Sequence, residues 1–292
     1  MIEFAQWNMR RELSLLWQEA FGDRKRIPDF FLNNIFSPRD CLVFQIGKEI
    51  AAAVYLLPAS VLCSGRAVQA HYIFAAATAQ KYRSRGYMSA LLAYAAIAGA
   101  ERGDRFSVVL PAGDGLYRYY EEAGYTDFFQ MRCVKISREG LGAIAGGSDK
   151  RGTTLPDFAA LNRFRADCLS LCEGSVLWDD RMFRLSVSMN QIYGDRFCCF
   201  FGKSGPVYAL CRTENALCTV LESFASAGAL PELASVLLHE SSASEFLFRL
   251  PLNDIRFQEQ GSRQRFGMIK PLDGRSLEEL SPQCPYLGLA MD

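Results

Sequence analysis

The chain has 292 residues, which is enough for two domains, and half of them are hydrophobic, so a sizeable core can be buried. Lysine plus arginine equals aspartate plus glutamate at 32 each, and this balance argues against a general nucleic-acid binder. We find no apolar run of about 18 residues, so no membrane-spanning helix and no membrane partner are predicted. The N-terminal stretch MIEFAQWNMRRELSLL lacks the apolar core of a signal peptide, which predicts a cytoplasmic protein.

The ten cysteines do not form any CxxC pair. Without a secretion signal, we expect reduced thiols that act as small core residues. Cys168 and Cys172 are four residues apart on a predicted helix and could share one face, but the two histidines, His71 and His239, lie far from them in sequence. The sequence therefore predicts no metal site.

The first half of the chain is predicted to alternate helices with strands. Apolar residues at helical spacing mark the helices, and short apolar runs bounded by glycine-containing turns mark the strands. In chain order the elements are helices at 3–21 and 28–36, three strands joined by turns at 47–48 and 64–66 with the third at 68–78, a helix at 86–102, a strand at 106–112, a short helix ending at Gly124 and a strand at 128–137.

The second half is predicted to repeat this order of elements without repeating its sequence. A glycine-rich, charged segment separates the halves, and we interpret 141–156 as a linker between domains at 1–140 and 157–292. The repeated elements are helices at 157–172 and 179–193, three strands within 196–225, a helix at 229–239, a strand at 245–250 and a tail that contains RFGMIKPL.

The turn Arg83-Ser84-Arg85-Gly86 stands where the third strand ends and the alanine-rich helix begins. Two arginines at the N-terminus of a helix face the positive end of its dipole, which is unfavourable unless an anion lies between them. Backbone N–H groups at such a turn can bind a phosphate, and glycine permits its close approach. The turn therefore predicts a phosphate site.

Two motifs resemble those of the GCN5-related N-acetyltransferases, the GNAT family. The hexapeptide at 83–88, RSRGYM, is similar to the family turn Arg/Gln-x-x-Gly-x-Gly/Ala, with Met88 as a departure that resembles the enhanced-intracellular-survival type. The hexapeptide at 120–125, YEEAGY, is similar to the family motif Tyr-x-x-x-Gly-Phe/Tyr. The resemblance covers residues 1–137 closely, and the second half only as a degenerate repeat.

The resemblance implies an α/β fold, more closely α+β, in which a mixed, mostly antiparallel sheet is flanked by helices and the arrangement is repeated in the second domain. It implies acetyl-CoA as co-substrate, with the pantetheine on the strand before the turn and the pyrophosphate on the turn. Tyr120 would be the general acid for the departing thiolate. The residues implied to contact acetyl-CoA are Ala76, Ala77, Thr78, Arg83, Ser84, Arg85, Gly86, Tyr87, Met88 and Ser89.

The expected function is transfer of acetyl to a primary amine of a small-molecule or peptide acceptor by direct attack. Tyr117 is the alternative to Tyr120, and the base is left open between His71, Glu222 and water. The second half lacks the RSRG turn and is expected not to bind CoA. Two other functions remain open, which are a non-catalytic acyl-CoA-binding regulatory module and a pseudoenzyme that serves only association.

Overall fold

A computed structural model describes residues 1–152, 156–257, 260–274, 277–280 and 284–291. The chain divides into two compact units. The first unit comprises Met1–Phe128, Gly267–Ser281 and Met291–Asp292, and the second comprises Phe129–Phe266 and Pro282–Ala290.

Each unit combines a sheet with helices. The strands are β1 (Ile2–Phe4), β2 (Cys41–Ile46), β3 (Glu49–Cys63), β4 (Arg66–Thr78), β5 (Phe106–Val109), β6 (Thr126–Asp127), β7 (Gln130–Ser137), β8 (Val176–Leu177), β9 (Arg196–Gly202), β10 (Gly205–Glu214), β11 (Leu217–Ala225), β12 (Glu245–Leu250), β13 (Ser262–Arg265) and β14 (Met268–Pro271). The α-helices are α1 (Arg10–Phe21), α2 (Arg26–Asn34), α3 (Tyr87–Glu101), α4 (Asp114–Glu122), α5 (Arg138–Ala145), α6 (Phe158–Leu169), α7 (Asp180–Tyr193) and α8 (Leu230–Glu240).

The sheet of the first unit has the strand order β1-β2-β3-β4-β5-β14-β6. Neighbouring strands are antiparallel except β4 and β5, which are parallel because helix α3 connects them. Side chains alternate along β3, so Val54 packs with α3 and α4, whereas Tyr55 meets the aromatic rings of Trp17 and Phe31 from α1 and α2. Both faces of the sheet are therefore covered.

Strands β4 and β5 separate before the C-terminal end of β4. Their pairing runs only from Ala70–Phe106 to Ile73–Val109, so the last five residues of β4 have no partner on β5. The register between β3 and β4 shifts at the same level, because Ala75, with φ of 45°, is an extra residue in β4. Such a bulge bends a strand and changes the direction in which its edge faces.

The sheet of the second unit has the order β13-β7-β12-β11-β10-β9. Here too α8 connects two parallel strands, β11 and β12, and a register shift between β10 and β11 makes Leu221 an extra residue. The core beneath α8 contains Leu233, Leu237, Phe246 and Phe248. The expected mixed, mostly antiparallel fold flanked by helices, repeated in the second half, is confirmed.

The boundaries differ from the expected ones in four places. Residues 3 and 4, placed in the first helix, belong to the strand Ile2–Phe4, which pairs with β2. The strand predicted at 128–137 belongs to the second sheet, where it pairs with β12. The supposed tail RFGMIKPL returns to the first unit as β14, which inserts between β5 and β6. The first domain was expected to end at residue 140, whereas the first segment of the first compact unit ends at Phe128.

The expected linker at 141–156 begins inside a helix. In α5, Ser137 caps the N-terminus by accepting a hydrogen bond from the N–H of Gly140, and Leu141 is fully buried. Arg138 donates to the carbonyl oxygens of Leu238 and Ser241 at the end of α8. Tertiary packing thus overrides the low helix propensity of the glycines. Residues 153–155 of the linker lie outside the described residues.

Candidate active site

A cleft of about 480 Å³ opens in the first unit beside the unpaired end of β4. All the residues implied to contact acetyl-CoA lie in its wall, together with Tyr120. The cleft is also lined by five residues that the sequence did not assign to acetyl-CoA binding or catalysis. They are Ala20, Phe21, Tyr82, Leu116 and Tyr119.

Helix α3 presents free N–H groups to this cleft. Gly86 is its N-cap, with φ of 78°, and Ser84 also adopts a left-handed conformation, with φ of 60°. The first helical hydrogen bond runs from the N–H of Ala90 to the carbonyl of Gly86 at 3.0 Å. The N–H groups of residues 87–89 therefore have no intrahelical acceptor, and neither a side-chain cap nor an acidic residue serves them. This end of the helix can bind an anion.

The two arginines of the turn are exposed and add positive charge there. The Nε of Arg83 donates to the carbonyl oxygen of Thr78 at 3.2 Å, and the guanidinium of Arg85 lies 5.7 Å from the ring centre of Tyr82. The hydroxyl of Tyr82 in turn donates to Glu49 at 2.7 Å. Both guanidinium groups keep further donors for a phosphate.

The structure distinguishes the three tyrosines of α4. The hydroxyl of Tyr117 accepts a hydrogen bond from the N–H of Gly267 at 3.2 Å, and Tyr117 is not part of the cleft wall. The hydroxyl of Tyr119 lies 3.1 Å from the Oγ of Ser89. Tyr120 lines the cleft with its ring against those of Tyr119 and Tyr125, and its hydroxyl has no hydrogen-bond partner among the described residues. Of these three tyrosines, Tyr120 alone has a hydroxyl without a hydrogen-bond partner among the described residues.

Burial raises the pKa of Tyr120 well above its usual value, and the neighbouring Tyr119 adds to this rise. The phenol therefore stays protonated at neutral pH and can donate a proton but not accept one. A thiolate formed beside it would be buried as well, and burial raises the proton affinity of a thiolate in the same way.

His71 does not line the cleft, although it was a candidate base. Its imidazole is fully buried, with Nδ1 2.7 Å from Oδ2 of Asp104 and with α3 close above it at Gly99. Burial is the main cause that lowers the pKa of His71. Its environment is that of a core histidine held by a carboxylate.

Glu222 is likewise a structural residue of the second unit. It is fully buried, and its carboxylate accepts hydrogen bonds from the guanidinium of Arg165 at 3.0 Å and from the hydroxyl of Tyr208 at 2.7 Å. Arg165 also donates to the carbonyl oxygen of Val176. With its oxygens committed to these donors, Glu222 is not available as a base, which corrects that expectation.

The helix of the second unit that corresponds to α3 has a different N-terminus. Helix α8 carries Pro231, which lacks an N–H, and Glu232 in its first turn. A carboxylate there occupies the positive end of the helix dipole and repels a phosphate. Phosphate binding at this end of α8 is therefore unfavourable, and the absence of CoA binding by the second half stays a prediction.

No group of three or more potential metal ligands occurs among the described residues. All ten cysteines are free thiols, and burial raises the pKa of Cys168 to about 11 and that of Cys172 to about 12. The Sγ of Cys172 donates to Asn253 at 3.2 Å. Within the described part of the chain, no helix is long and apolar enough to span a membrane.

Residues 8–127 match the family model described as an acetyltransferase (GNAT) domain. The match covers the part of the chain that carries the two motifs and agrees with the resemblance seen in them. A search of curated proteins finds no match.

Solved structures share the fold of nearly the whole chain. A GCN5-related N-acetyltransferase from Anabaena variabilis has a TM-score of 0.75 at 16% identity, with 94% of this chain and 73% of that chain covered. Eis1 from Mycobacterium abscessus has a TM-score of 0.64 at 13% identity, with 94% and 74% covered. A tandem GNAT protein from the clavulanic acid biosynthesis pathway has a TM-score of 0.53 at 14% identity, with 94% and 100% covered. At these identities the similarity shows the fold alone.

Proposed function

We propose that the protein transfers the acetyl group of acetyl-CoA to a primary amine of a small-molecule or peptide acceptor. One observation carries the proposal. The free N–H groups of α3, the unpaired end of β4 and the uncommitted hydroxyl of Tyr120 all face one cleft. The reducing compartment implied by ten free thiols supports a cytoplasmic location.

The cleft suits the successive parts of acetyl-CoA. The pantetheine arm carries amide groups and can pair with the edge of β4 at residues 76–78 as a peptide strand would. The pyrophosphate binds the N–H groups of residues 84–89 and the guanidinium groups of Arg83 and Arg85. An adjoining cavity of about 380 Å³, which shares Ser89 and Tyr119 with the cleft and includes Lys270, has room for the nucleotide end.

The reaction requires one nucleophilic attack and two proton transfers. The lone pair of the neutral amine attacks the thioester carbonyl carbon, and a C–N bond forms as the C–S bond breaks. Tyr120 donates its proton to the departing sulfur. The amine loses its proton to water, because none of the residues that line the cleft is an aspartate, glutamate or histidine. A proton from solvent then restores Tyr120.

The alternative is a regulatory module that binds acyl-CoA without turnover. Such a module has no need for a free acid beside the thioester, and the placement of Tyr120 therefore favours the enzyme. Binding of acetyl-CoA alone does not separate the two functions, so turnover must be measured.

The test measures CoA release with a thiol reagent and product mass by mass spectrometry. The purified protein receives acetyl-CoA and a panel of simple amines, peptides and polyamines. Acetylated product that depends on the protein supports the proposal. Tight acetyl-CoA binding without turnover on any amine identifies the regulatory module, and no binding overturns both.

A further inference from the structure

Two large apolar side chains outside the phosphate-binding turn line the cleft. Phe21, the last residue of α1, and Leu116 on α4 both line the cleft, yet their side chains are 45% and 44% exposed. Large apolar side chains at the edge of a concave site gain free energy when a ligand covers them. Neither residue belongs to the motifs that bind acetyl-CoA.

Phe21 is held in a fixed position. Gly22 ends α1 in a left-handed conformation, with φ of 71°, and its N–H donates to the carbonyl of Gln18. The ring of Phe21 meets Trp17 edge-on at 5.6 Å, and the indole N–H of Trp17 donates to Asp23 at 2.8 Å. The phenyl ring is thus a preorganised surface, which lowers the entropy cost of packing against it.

The cleft wall carries positively charged side chains but no negatively charged ones. None of its sixteen lining residues is acidic, whereas two are arginines. Two nearby carboxylates are engaged in the protein itself, since Glu49 accepts from Lys81 and Tyr82, and Glu19 accepts from the N–H of Gln80. A polycationic acceptor must desolvate several ammonium groups, and this cleft wall offers them no carboxylate in return.

We propose that the acceptor is a monoamine whose amino group is carried on an apolar or aromatic body, and that Phe21 and Leu116 bind this body. The inference rests on the proposed acetyl transfer and names its substrate class. The apolar body packs on Phe21 while the amine points toward the thioester. Aminoglycosides and polyamines are then poor acceptors for this cleft.

The experiment compares three amines at saturating acetyl-CoA, which are 2-phenylethylamine, ethylamine and spermidine. For the wild-type protein, kcat/KM should be highest for 2-phenylethylamine and should exceed the values for the other two amines by about tenfold or more. This ratio is the effect expected from one well-placed apolar group. Phe21→Ala should remove most of this preference, because kcat/KM should fall more for 2-phenylethylamine than for ethylamine. Phe21→Leu should restore part of it.

Two measurements keep the outcomes distinct. Leu15→Ala removes an exposed apolar side chain of the same helix that lies outside the cleft, and it should leave all three rates unchanged. The dissociation constant of acetyl-CoA, measured by calorimetry, should be the same in every variant. Acetylation that favours spermidine, or an equal loss for all amines in Phe21→Ala, overturns the substrate class but not the acetyl transfer. A protein that acetylates none of these amines, nor any peptide or polyamine, overturns the proposed function and this inference with it.

Discussion

Replacement of Tyr120 by phenylalanine isolates the hydroxyl that the reaction needs. The hydroxyl has no hydrogen-bond partner among the described residues, so its removal breaks no hydrogen bond in that part of the chain. The unfolding free energy should therefore change by less than about 0.5 kcal/mol. General acid catalysis contributes about 10²–10⁴-fold, so kcat should fall by about 100-fold or more, which corresponds to about 2.7 kcal/mol.

Tyr117→Phe is the matched control because it removes a hydroxyl from the same helix. That hydroxyl accepts the N–H of Gly267, so its loss should lower the unfolding free energy by about 1–3 kcal/mol. Because Tyr117 lies outside the cleft wall, kcat should stay within about twofold of the wild-type value. The two variants should thus show opposite patterns in stability and turnover.

The assay follows CoA release under saturating acetyl-CoA, with the dissociation constant of acetyl-CoA measured separately by calorimetry. Tyr120→Phe should bind acetyl-CoA within about twofold of wild type, since a general acid acts in the transition state. A Tyr120→Phe protein that retains kcat within about threefold would refute the assignment of Tyr120 as the acid. The same conclusion would follow if Tyr117→Phe lost turnover instead.

Three further predictions concern pH and the two cores. The cleft wall holds no side-chain base, so kcat/KM should rise with pH toward the pKa of the amine itself. Because burial raises the pKa of Tyr120, kcat/KM should not decrease at any pH below about 9. A plateau that starts near neutral pH would indicate a side-chain base. Glu222→Gln leaves the buried charge of Arg165 uncompensated and should lower the unfolding free energy, measured in urea, by about 3–5 kcal/mol; a loss under about 1 kcal/mol would contradict the ion pair. Gly99→Ala places a methyl group 2.5 Å from Cε1 of His71 and should cost about 1–3 kcal/mol in thermal unfolding; an unchanged Tm would show that the imidazole moves aside at little cost.

Local signals explain what could be predicted from the sequence. Glycines mark the turn between β2 and β3 and the turn between β3 and β4, and Gly47 and Gly65 adopt positive φ values of 62° and 70° there. The RSRG turn and the YEEAGY motif predicted residues that the structure brings together in one cleft. The motif favoured Tyr120 over Tyr117, and the structure adds a physical difference between these two buried residues of one helix, because Tyr120 lines the cleft and the hydroxyl of Tyr117 accepts the N–H of Gly267.

Long-range pairing explains what could not be predicted. Strand β14 is four residues long and pairs with β5, more than 150 residues earlier in the chain, and nothing in MIKP specifies that partner. Helix α5 contains Gly140 and Gly142, and its buried Leu141 and its contacts with α8 become visible only in the folded chain. The position of Phe21 in the cleft wall could not be predicted either, because a phenylalanine before a helix-ending glycine is more often a core residue.

The central claim is that the turn at 83–86 binds the pyrophosphate of acetyl-CoA, and calorimetric titration of acetyl-CoA tests it most directly. The double variant Arg83→Glu/Arg85→Glu should weaken binding by about 100-fold or more, because charge-assisted hydrogen bonds are replaced by repulsion. The control is Arg66→Glu, an exposed charge reversal at the far end of the same strand, about 40 Å away, which should bind like wild type. Equal affinities in the wild type and the double variant, or no binding in the wild type, would contradict the account.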